Sequence, residues 1–221
     1  MNKQQKTTLI TLSAISLALG AGYLLWITTK KIVPKNKLKS IADKDVAFWK
    51  DKSETNASAS NELLKYWKVV GKNFTEQNMQ STSFHKTWPW SAAYISSVVK
   101  RWINSESFSY SPSHSMYVIQ AREAKRKNDK SSTYWAYGPN EMKAEVGDII
   151  VLKRGQDVTL ESIRPGVPLH GDIVVEVTKD KVYVQGGNLS NKVKRFYYPS
   201  TNGYINKGPE IVAHLKIRKY D

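Results

Sequence analysis

Cysteine is absent from the 221-residue chain. Without thiolates there is no disulfide framework, no cysteine-ligated zinc or iron–sulfur site and no cysteine nucleophile. Acidic residues are also few, because 19 Asp and Glu stand against 34 Lys and Arg, which gives a net charge of +15. This excess favours a polyanionic partner, whether nucleic acid, anionic lipid or an acidic wall polymer. Hydrophobic residues make up 40% of the chain, enough to build a core, so wholesale disorder is excluded.

One uncharged run near the N-terminus is long enough to cross a membrane. Residues 9–27 contain no charged side chain and as a helix would extend about 28 Å, which matches a bilayer core. Tyr23 and Trp26 stand near its far end, where aromatic rings prefer the membrane interface. We therefore expect a short tail, residues 1–8, followed by one transmembrane helix, residues 9–27.

A cleaved secretory signal is the competing interpretation of this run, because Ala18-Leu19-Gly20 fits a small-x-small cleavage site. The apolar sequence continues past Gly20 for longer than a usual signal core, which favours an uncleaved anchor in the inner membrane. Two arguments disagree about the side of the membrane on which the C-terminal domain lies. More lysines follow the run than precede it, so the positive-inside rule places the C-terminal domain in the cytoplasm, whereas a function at the cell wall requires the periplasm.

The rest of the chain divides by its patterning. Residues 28–60 are predicted to be a flexible basic and polar stalk, and residues 61–221 a folded domain. Helical spacing of apolar residues recurs over about 12 residues after position 61, and then over 92–103 and 114–127. Short strands bounded by glycine and proline follow at 146–152, 171–177, 182–185 and 211–217. Helices followed by antiparallel strands predict an α+β domain.

Two residues occupy positions in which a catalytic side chain would be favoured. Ser91 follows Trp88-Pro89-Trp90 and precedes the second helix, where free amides favour developing negative charge. The alternative is that Ser91 caps this helix, a role for which serine is preferred. His170 opens a predicted strand, and a strand end can hold a general base rigidly; the alternative is a surface histidine.

Five segments carry a resemblance to a known family: Pro89–Ser96, Ser113-His114 with Tyr117, Gly147–Val151, His170–Val177 and Gly186–Asn188. They resemble an uncharacterised bacterial family of papain-like fold, related to the NlpC-type and CHAP peptidoglycan peptidases and amidases. The likeness covers roughly residues 84–199. In the wider superfamily a cysteine opens the buried helix, a histidine opens a following strand, and a polar residue on the next strand orients that histidine. The resemblance implies Ser91, His170 and Asn188 in these places.

The departure from the superfamily is the serine at position 91. A hydroxyl is a poor nucleophile until a base removes its proton, so a catalytic Ser91 needs full activation by His170. The resemblance implies a membrane-anchored peptidoglycan hydrolase that cuts an amide bond. The alternative is an inactive papain-like module that binds peptidoglycan or a partner protein as a scaffold.

The third member of the triad depends on strand register. A tight turn after Val177 would place His170 and Asn188 on opposite faces of the sheet. A bulge at Gly186-Gly187 would reverse this parity and bring Asn188 to His170. Asp172, two residues after His170 on the same face, is the alternative orienting residue.

Four further residues are predicted to shape the substrate groove: Trp88, Trp90, Tyr94 and His114. No cofactor is predicted. A zinc site made of His114, His170 and Asp172 is a weaker alternative, because no H-E-x-x-H signature occurs in the sequence. Nucleic-acid binding is disfavoured, since only the charge supports it and no known binding motif is present.

Overall fold

Helices precede strands along the chain, as the spacing predicts. The computed structural model describes residues 34–206, 208 and 210–218. The helices of this part are α1 (Lys35–Trp49), α2 (Ala57–Val69), α3 (Glu76–Met79), α4 (Thr82–Thr87), α5 (Ser91–Trp102) and α6 (His114–Arg126). The strands are β1 (Tyr134–Tyr137), β2 (Ile149–Lys153), β3 (Leu169–Val177), β4 (Lys181–Gly186), β5 (Lys194–Thr201), β6 (Tyr204–Ile205) and β7 (Ile211–Ile217). A 3₁₀ turn, Leu160–Ser162, precedes β3.

The strands form one antiparallel sheet in the order β1-β7-β2-β3-β4-β5-β6. The predicted α+β class is therefore confirmed. Helix α5 is buried over nearly its whole circumference and packs against α1, α2, β3 and β4. This confirms the predicted buried helix and explains its position, because a helix that is apolar on most sides must be covered by other elements.

The predicted stalk is wrong for residues 34–60, which form α1 and the start of α2. Leu38, Ala42 and Trp49 of α1 are fully buried. The ring of Trp49 stacks on that of Trp90 at 5.1 Å between centroids, and the indole of Trp102 donates to the carbonyl of Pro34 at 3.0 Å. Apolar side chains at intervals of four and seven place one face of α1 on the core, so this segment belongs to the folded unit.

The predicted tail at 1–8 and transmembrane helix at 9–27 lie outside the described residues. Within the part of the chain that the structure describes, no helix combines the length and apolar character needed to span a bilayer.

The register between β3 and β4 contains a bulge, though at another place than expected. Val177 pairs with Val182, as the simple turn predicts, and the register then shifts by one residue between Val174 and Glu176. The extra residue lies in β3, whereas the sequence suggested Gly186-Gly187 in β4. Because of this shift, each residue at the beginning of β3 pairs with a residue of β4 one position away from the partner that a simple hairpin predicts. The side chains that share a face of the sheet change accordingly.

Candidate functional site

A cavity of about 270 Å³ lies where the first residues of α5 and α6 approach the loop that leads into β3. Its lining residues are Pro89, Ser91, Pro112, Ser113, His114, Arg154, Gly166, Val167, Pro168, Leu169 and Asn188. Because its walls come from five separate parts of the chain, no single sequence segment indicates it.

Ser91 and His114 meet in this cavity. The Oγ of Ser91 lies 2.7 Å from the Nε2 of His114, although the two residues are only 6% and 4% exposed. Ser91 is the first residue of α5, and Trp90 holds the N-cap position. The hydroxyl is thus directed to an imidazole, which corrects the interpretation of Ser91 as a helix cap. His114 is the first residue of α6 and holds its ring against the start of α5.

The other ring nitrogen of His114, Nδ1, makes a short hydrogen bond with the hydroxyl of Tyr117. These residues are three positions apart on α6, so their side chains lie on the same face of the helix. Burial lowers the pKa of His114 well below its usual range, and the neighbouring His170 and Arg154 lower it further. Burial also raises the pKa of Tyr117, so that the phenol stays protonated. His114 is therefore a neutral imidazole at neutral pH, in the form that can accept a proton.

His170 lies beside His114, with 5.6 Å between ring centroids, but it makes different bonds. Its Nδ1 is 3.0 Å from a guanidinium nitrogen of Arg154, and its Nε2 is 2.9 Å from Oδ1 of Asp172. A guanidinium only donates, so Nδ1 accepts and the ring proton lies on Nε2, which donates to the carboxylate. Among the described residues His170 thus has both nitrogens engaged away from Ser91, and the imidazole that contacts Ser91 is that of His114 rather than the expected His170.

The hydrogen-bond partner of His170 on its own strand is Asp172. The two side chains extend from the same face of β3, two residues apart. Asp172 is fully buried, and its second oxygen accepts a hydrogen bond of 3.4 Å from the hydroxyl of Tyr198. Gly186 on β4 leaves the space, because a Cβ there would collide with the carboxylate of Asp172.

Asn188 lines the same cavity, so the chain brings it near Ser91 and His114. Its backbone has a positive φ of 57°, in a region that asparagine tolerates better than most residues. In the described part of the chain, however, the hydrogen-bond partners of His170 are Arg154 and Asp172. Asn188 therefore does not fill the orienting position that the resemblance implies.

The three aromatic residues predicted to shape the groove lie elsewhere. Trp90 is fully buried, and its indole donates to Glu54 at 2.8 Å. Tyr94 is fully buried and donates to Asp45 at 3.1 Å. Trp88 packs against the side chains of Trp67, Phe74 and Lys72. Trp90 and Tyr94 thus lie in the interior, Trp88 is half-buried, and none of the three is among the residues that line the cavity.

Two residues of the site were not predicted to belong to it. Tyr117 was named only as part of the family resemblance, although its place three positions after His114 in a predicted helix could have assigned it to the site. Arg154 follows β2 directly in a run of ordinary surface residues, and no local pattern distinguishes it. Within the described residues, no group of three or more histidine and acidic side chains has the arrangement of a metal site.

The fold and the cavity define an α+β protein in which a serine and a histidine, each at the start of a helix, meet beside the central strand of an antiparallel sheet. Residues 41–216 match the model of a family described as "Uncharacterized protein conserved in bacteria (DUF2272)". The match covers well over half of the sequence, and the chain belongs to this family. No curated protein and no solved structure gave a match.

Proposed function

We propose that the chain is a serine hydrolase that cleaves an amide bond in peptidoglycan. The observation that carries this proposal is the hydrogen bond of 2.7 Å between the Oγ of Ser91 and the Nε2 of His114 at the wall of a cavity of about 270 Å³. A nucleophile and a base within hydrogen-bond distance, with the base held by a third group, is the arrangement on which acyl transfer by serine depends.

In the first half of the reaction, His114 takes the proton of Ser91 while Oγ attacks the carbonyl carbon of the substrate. The imidazolium then gives this proton to the leaving amine, the C–N bond breaks, and the acyl group remains on Ser91. In the second half, His114 takes a proton from water, the hydroxide attacks the ester, and the proton returns to Oγ. The acid product leaves, and the enzyme is restored with atoms and charges balanced.

Two features of the site support this chemistry. The first i to i−4 backbone bond of α5 is donated by Tyr94 to Trp90, so the amides before Tyr94 are not consumed by the helix and can stabilise a developing oxyanion. For this transfer the ring proton of His114 lies on Nδ1, which donates to the hydroxyl oxygen of Tyr117, so that the unprotonated Nε2 accepts from the Oγ of Ser91. The low pKa of His114 keeps it unprotonated before the attack.

The substrate class rests on the resemblance and on charge. Ser91 opens a buried helix and His170 lies at the beginning of a strand packed beside it, which is the order of elements in the NlpC-type and CHAP enzymes. We include in the proposal a papain-like fold, with His114 as the base and His170 in a supporting role. The charge of +15 suits an acidic wall polymer. An anchor at residues 9–27 would hold the domain at the periplasmic face of the inner membrane.

The test uses the full-length protein in detergent, incubated with purified peptidoglycan, with soluble products identified by mass spectrometry. Ser91→Ala and His114→Gln should abolish product release, because each removes one partner of the proton transfer. Ser97→Ala is the matched control, since Ser97 is a buried serine on the same helix outside the cavity lining. Circular dichroism should show that every variant is folded.

The results of this experiment distinguish a hydrolase from a binding module. Loss of products in Ser91→Ala and His114→Gln but not in Ser97→Ala supports the hydrolase. Retained activity in His114→Gln together with loss in His170→Ala would return the role of base to His170. Sedimentation of the protein with peptidoglycan without any product, in wild type and Ser91→Ala alike, would overturn the hydrolase and favour an anchored binding module.

A further inference from the structure

Arg154 adds a positive charge to the cavity that the proposed reaction does not use. It directly follows the last residue of β2, Lys153, and its exposed side chain forms part of the cavity wall. In the part of the chain that the structure describes, Arg154 is the residue of the cavity wall with a fixed charge. The cavity that contains Ser91 and His114 is therefore electropositive on one side.

This guanidinium is held in place by a buried chain of hydrogen bonds. Asp172 accepts from Nε2 of His170 at 2.9 Å, and Nδ1 of His170 accepts from Arg154 at 3.0 Å. Asp172 is fully buried and His170 is 5% exposed, so the two residues support Arg154 from within the core. A guanidinium carries five N–H donors in a planar fork, and one donor directed to His170 leaves the others for a ligand.

The charge of Arg154 is not neutralised locally. Across residues 34–206, 208 and 210–218, no carboxylate lies within ion-pair distance of Arg154. Its neighbour Lys153 differs, because its ammonium pairs with Asp157 at 3.1 Å. An arginine that is positioned by a buried histidine, faces a cavity and lacks a counter-ion is suited to bind an anion from outside the chain.

We propose that Arg154 binds a carboxylate of the substrate, so that the enzyme selects peptide amides bearing a free carboxylate next to the scissile bond. This inference rests on the proposed hydrolase function. A carboxylate fits better than a more highly charged anion, because a single guanidinium matches a single negative charge and its fork pairs with two coplanar oxygens. Under this assignment His170 and Asp172 are positioning residues, which orient Arg154 over the cavity.

The experiment compares two probes, a muropeptide with free carboxylates and the same muropeptide with these groups converted to carboxamides. Wild-type protein should cleave the carboxylate form with a kcat/KM about 10- to 100-fold higher, the range expected for hydrogen bonds between charged groups. Arg154→Gln should remove this preference, mainly by raising the KM for the carboxylate form. Lys153→Gln, which changes a neighbouring cation outside the cavity, should keep the preference.

A binding measurement separates failure of this inference from failure of the proposed function. Ser91→Ala protein, which cannot turn over, should bind the carboxylate muropeptide in calorimetry more tightly than its carboxamide, and the additional substitution Arg154→Gln should abolish the difference. Equal cleavage of both probes by wild type, or a preference that survives Arg154→Gln, overturns the role of Arg154 and leaves the hydrolase intact. Carboxylate-selective binding that depends on Arg154, without cleavage of either probe, overturns the hydrolase and keeps the anion site.

Discussion

A Cβ atom on Gly171 would lie 2.8 Å from Nδ1 of His114, closer than real Cβ contacts allow. It would also lie 2.5 Å from the hydroxyl of Tyr117. The glycine is required here for close approach, because it leaves the space on β3 in which the imidazole of α6 meets its phenol partner. The sheet thus sets the position of His114, although His114 itself belongs to a helix.

Gly171→Ala should therefore damage catalysis more than folding. The added methyl group must displace His114 or Tyr117, and a shift of about 1 Å at a reacting group costs on the order of 100-fold in rate. Overpacking of this kind costs about 1–3 kcal/mol in the free energy of unfolding. Peptidoglycan hydrolysis and urea unfolding measure the two effects. Gly208→Ala is the control, since a Cβ there meets only Ile211 at an ordinary 3.5 Å. Wild-type kcat in Gly171→Ala would refute this account of the glycine.

Tyr117→Phe should lower kcat and leave KM nearly unchanged. The substitution keeps the ring against Phe108, at 5.3 Å between centroids, and removes only the hydroxyl that holds Nδ1 of His114. One hydrogen bond of this kind contributes about 0.5–1.5 kcal/mol, which corresponds to at most roughly a tenfold loss. Steady-state kinetics across pH provide the measurement, and the exposed Tyr197→Phe provides the control. An unchanged kcat and pH profile would mean that Tyr117 only packs.

The free energy of unfolding should decrease at acidic pH because His114 is buried. Burial holds the pKa of the folded protein's His114 well below its ordinary value of 6.5, so between these two values the unfolded chain binds a proton that the folded chain does not. The contribution of His114 to stability is therefore complete above pH 6.5 and decreases as the pH falls below 6.5. One such proton changes the free energy of unfolding by about 1.4 kcal/mol per pH unit.

Denaturant unfolding of wild type and of His114→Gln at several pH values tests this expectation. Below pH 6.5 the wild type should lose stability more steeply than the variant, and above it the two curves should run parallel. The other buried histidines are present in both proteins and cancel in the difference. Curves that stay parallel down to pH 4.5, about two units below the ordinary histidine pKa, would show that His114 is solvated in solution.

The sequence predicts those parts of the fold in which a local period dominates. The apolar stripe of α5 and the alternation in β7 are strong enough that the predicted and observed bounds nearly coincide. Helix α1 was missed because charged and polar residues surround its few buried positions, and the same residues also suit a stalk. Strand β5 was missed because its side chains are mostly half-buried or exposed, so little apolar patterning marks it.

The site was predicted in part for a related reason. Ser91 and His170 stand at the starts of elements, which is visible locally, but their partners are set by contacts between distant segments. The pairing of Ser91 with His114 depends on how α5 and α6 pack, across 23 positions of sequence. The pairing of the beginning of β3 with β4 depends on a bulge at Val175. This residue lies in a valine-rich run, and no glycine there marks the position of the bulge. Neither feature has a short-range signal.

The corrected boundary of the folded domain yields the last prediction. A fragment of residues 34–221 should unfold cooperatively, whereas residues 61–221 should aggregate or unfold without a cooperative transition. Among the fully buried side chains that the shorter fragment loses are the large ones of Leu38 and Trp49, each of which contributes about 1.5–3 kcal/mol or more through burial. It also loses Asp45, whose two oxygens accept from Arg101 at 2.7 and 2.8 Å. Together these losses are comparable with the whole stability of an ordinary domain, about 5–15 kcal/mol.

Single substitutions in the 34–221 fragment distinguish packing of α1 from a general effect of shortening the chain. Trp49→Ala should cost about 3–5 kcal/mol, because it opens a cavity beside Trp90. The adjacent Phe48→Ala should cost clearly less, because Phe48 is only half-buried and contacts the ammonium of Lys52. Equal thermal midpoints for the two fragments, or equal costs for the two substitutions, would restore the view that residues before 61 only tether the domain. Such a result would also require another cover for Trp90 and α5, since α1 supplies it in the structure.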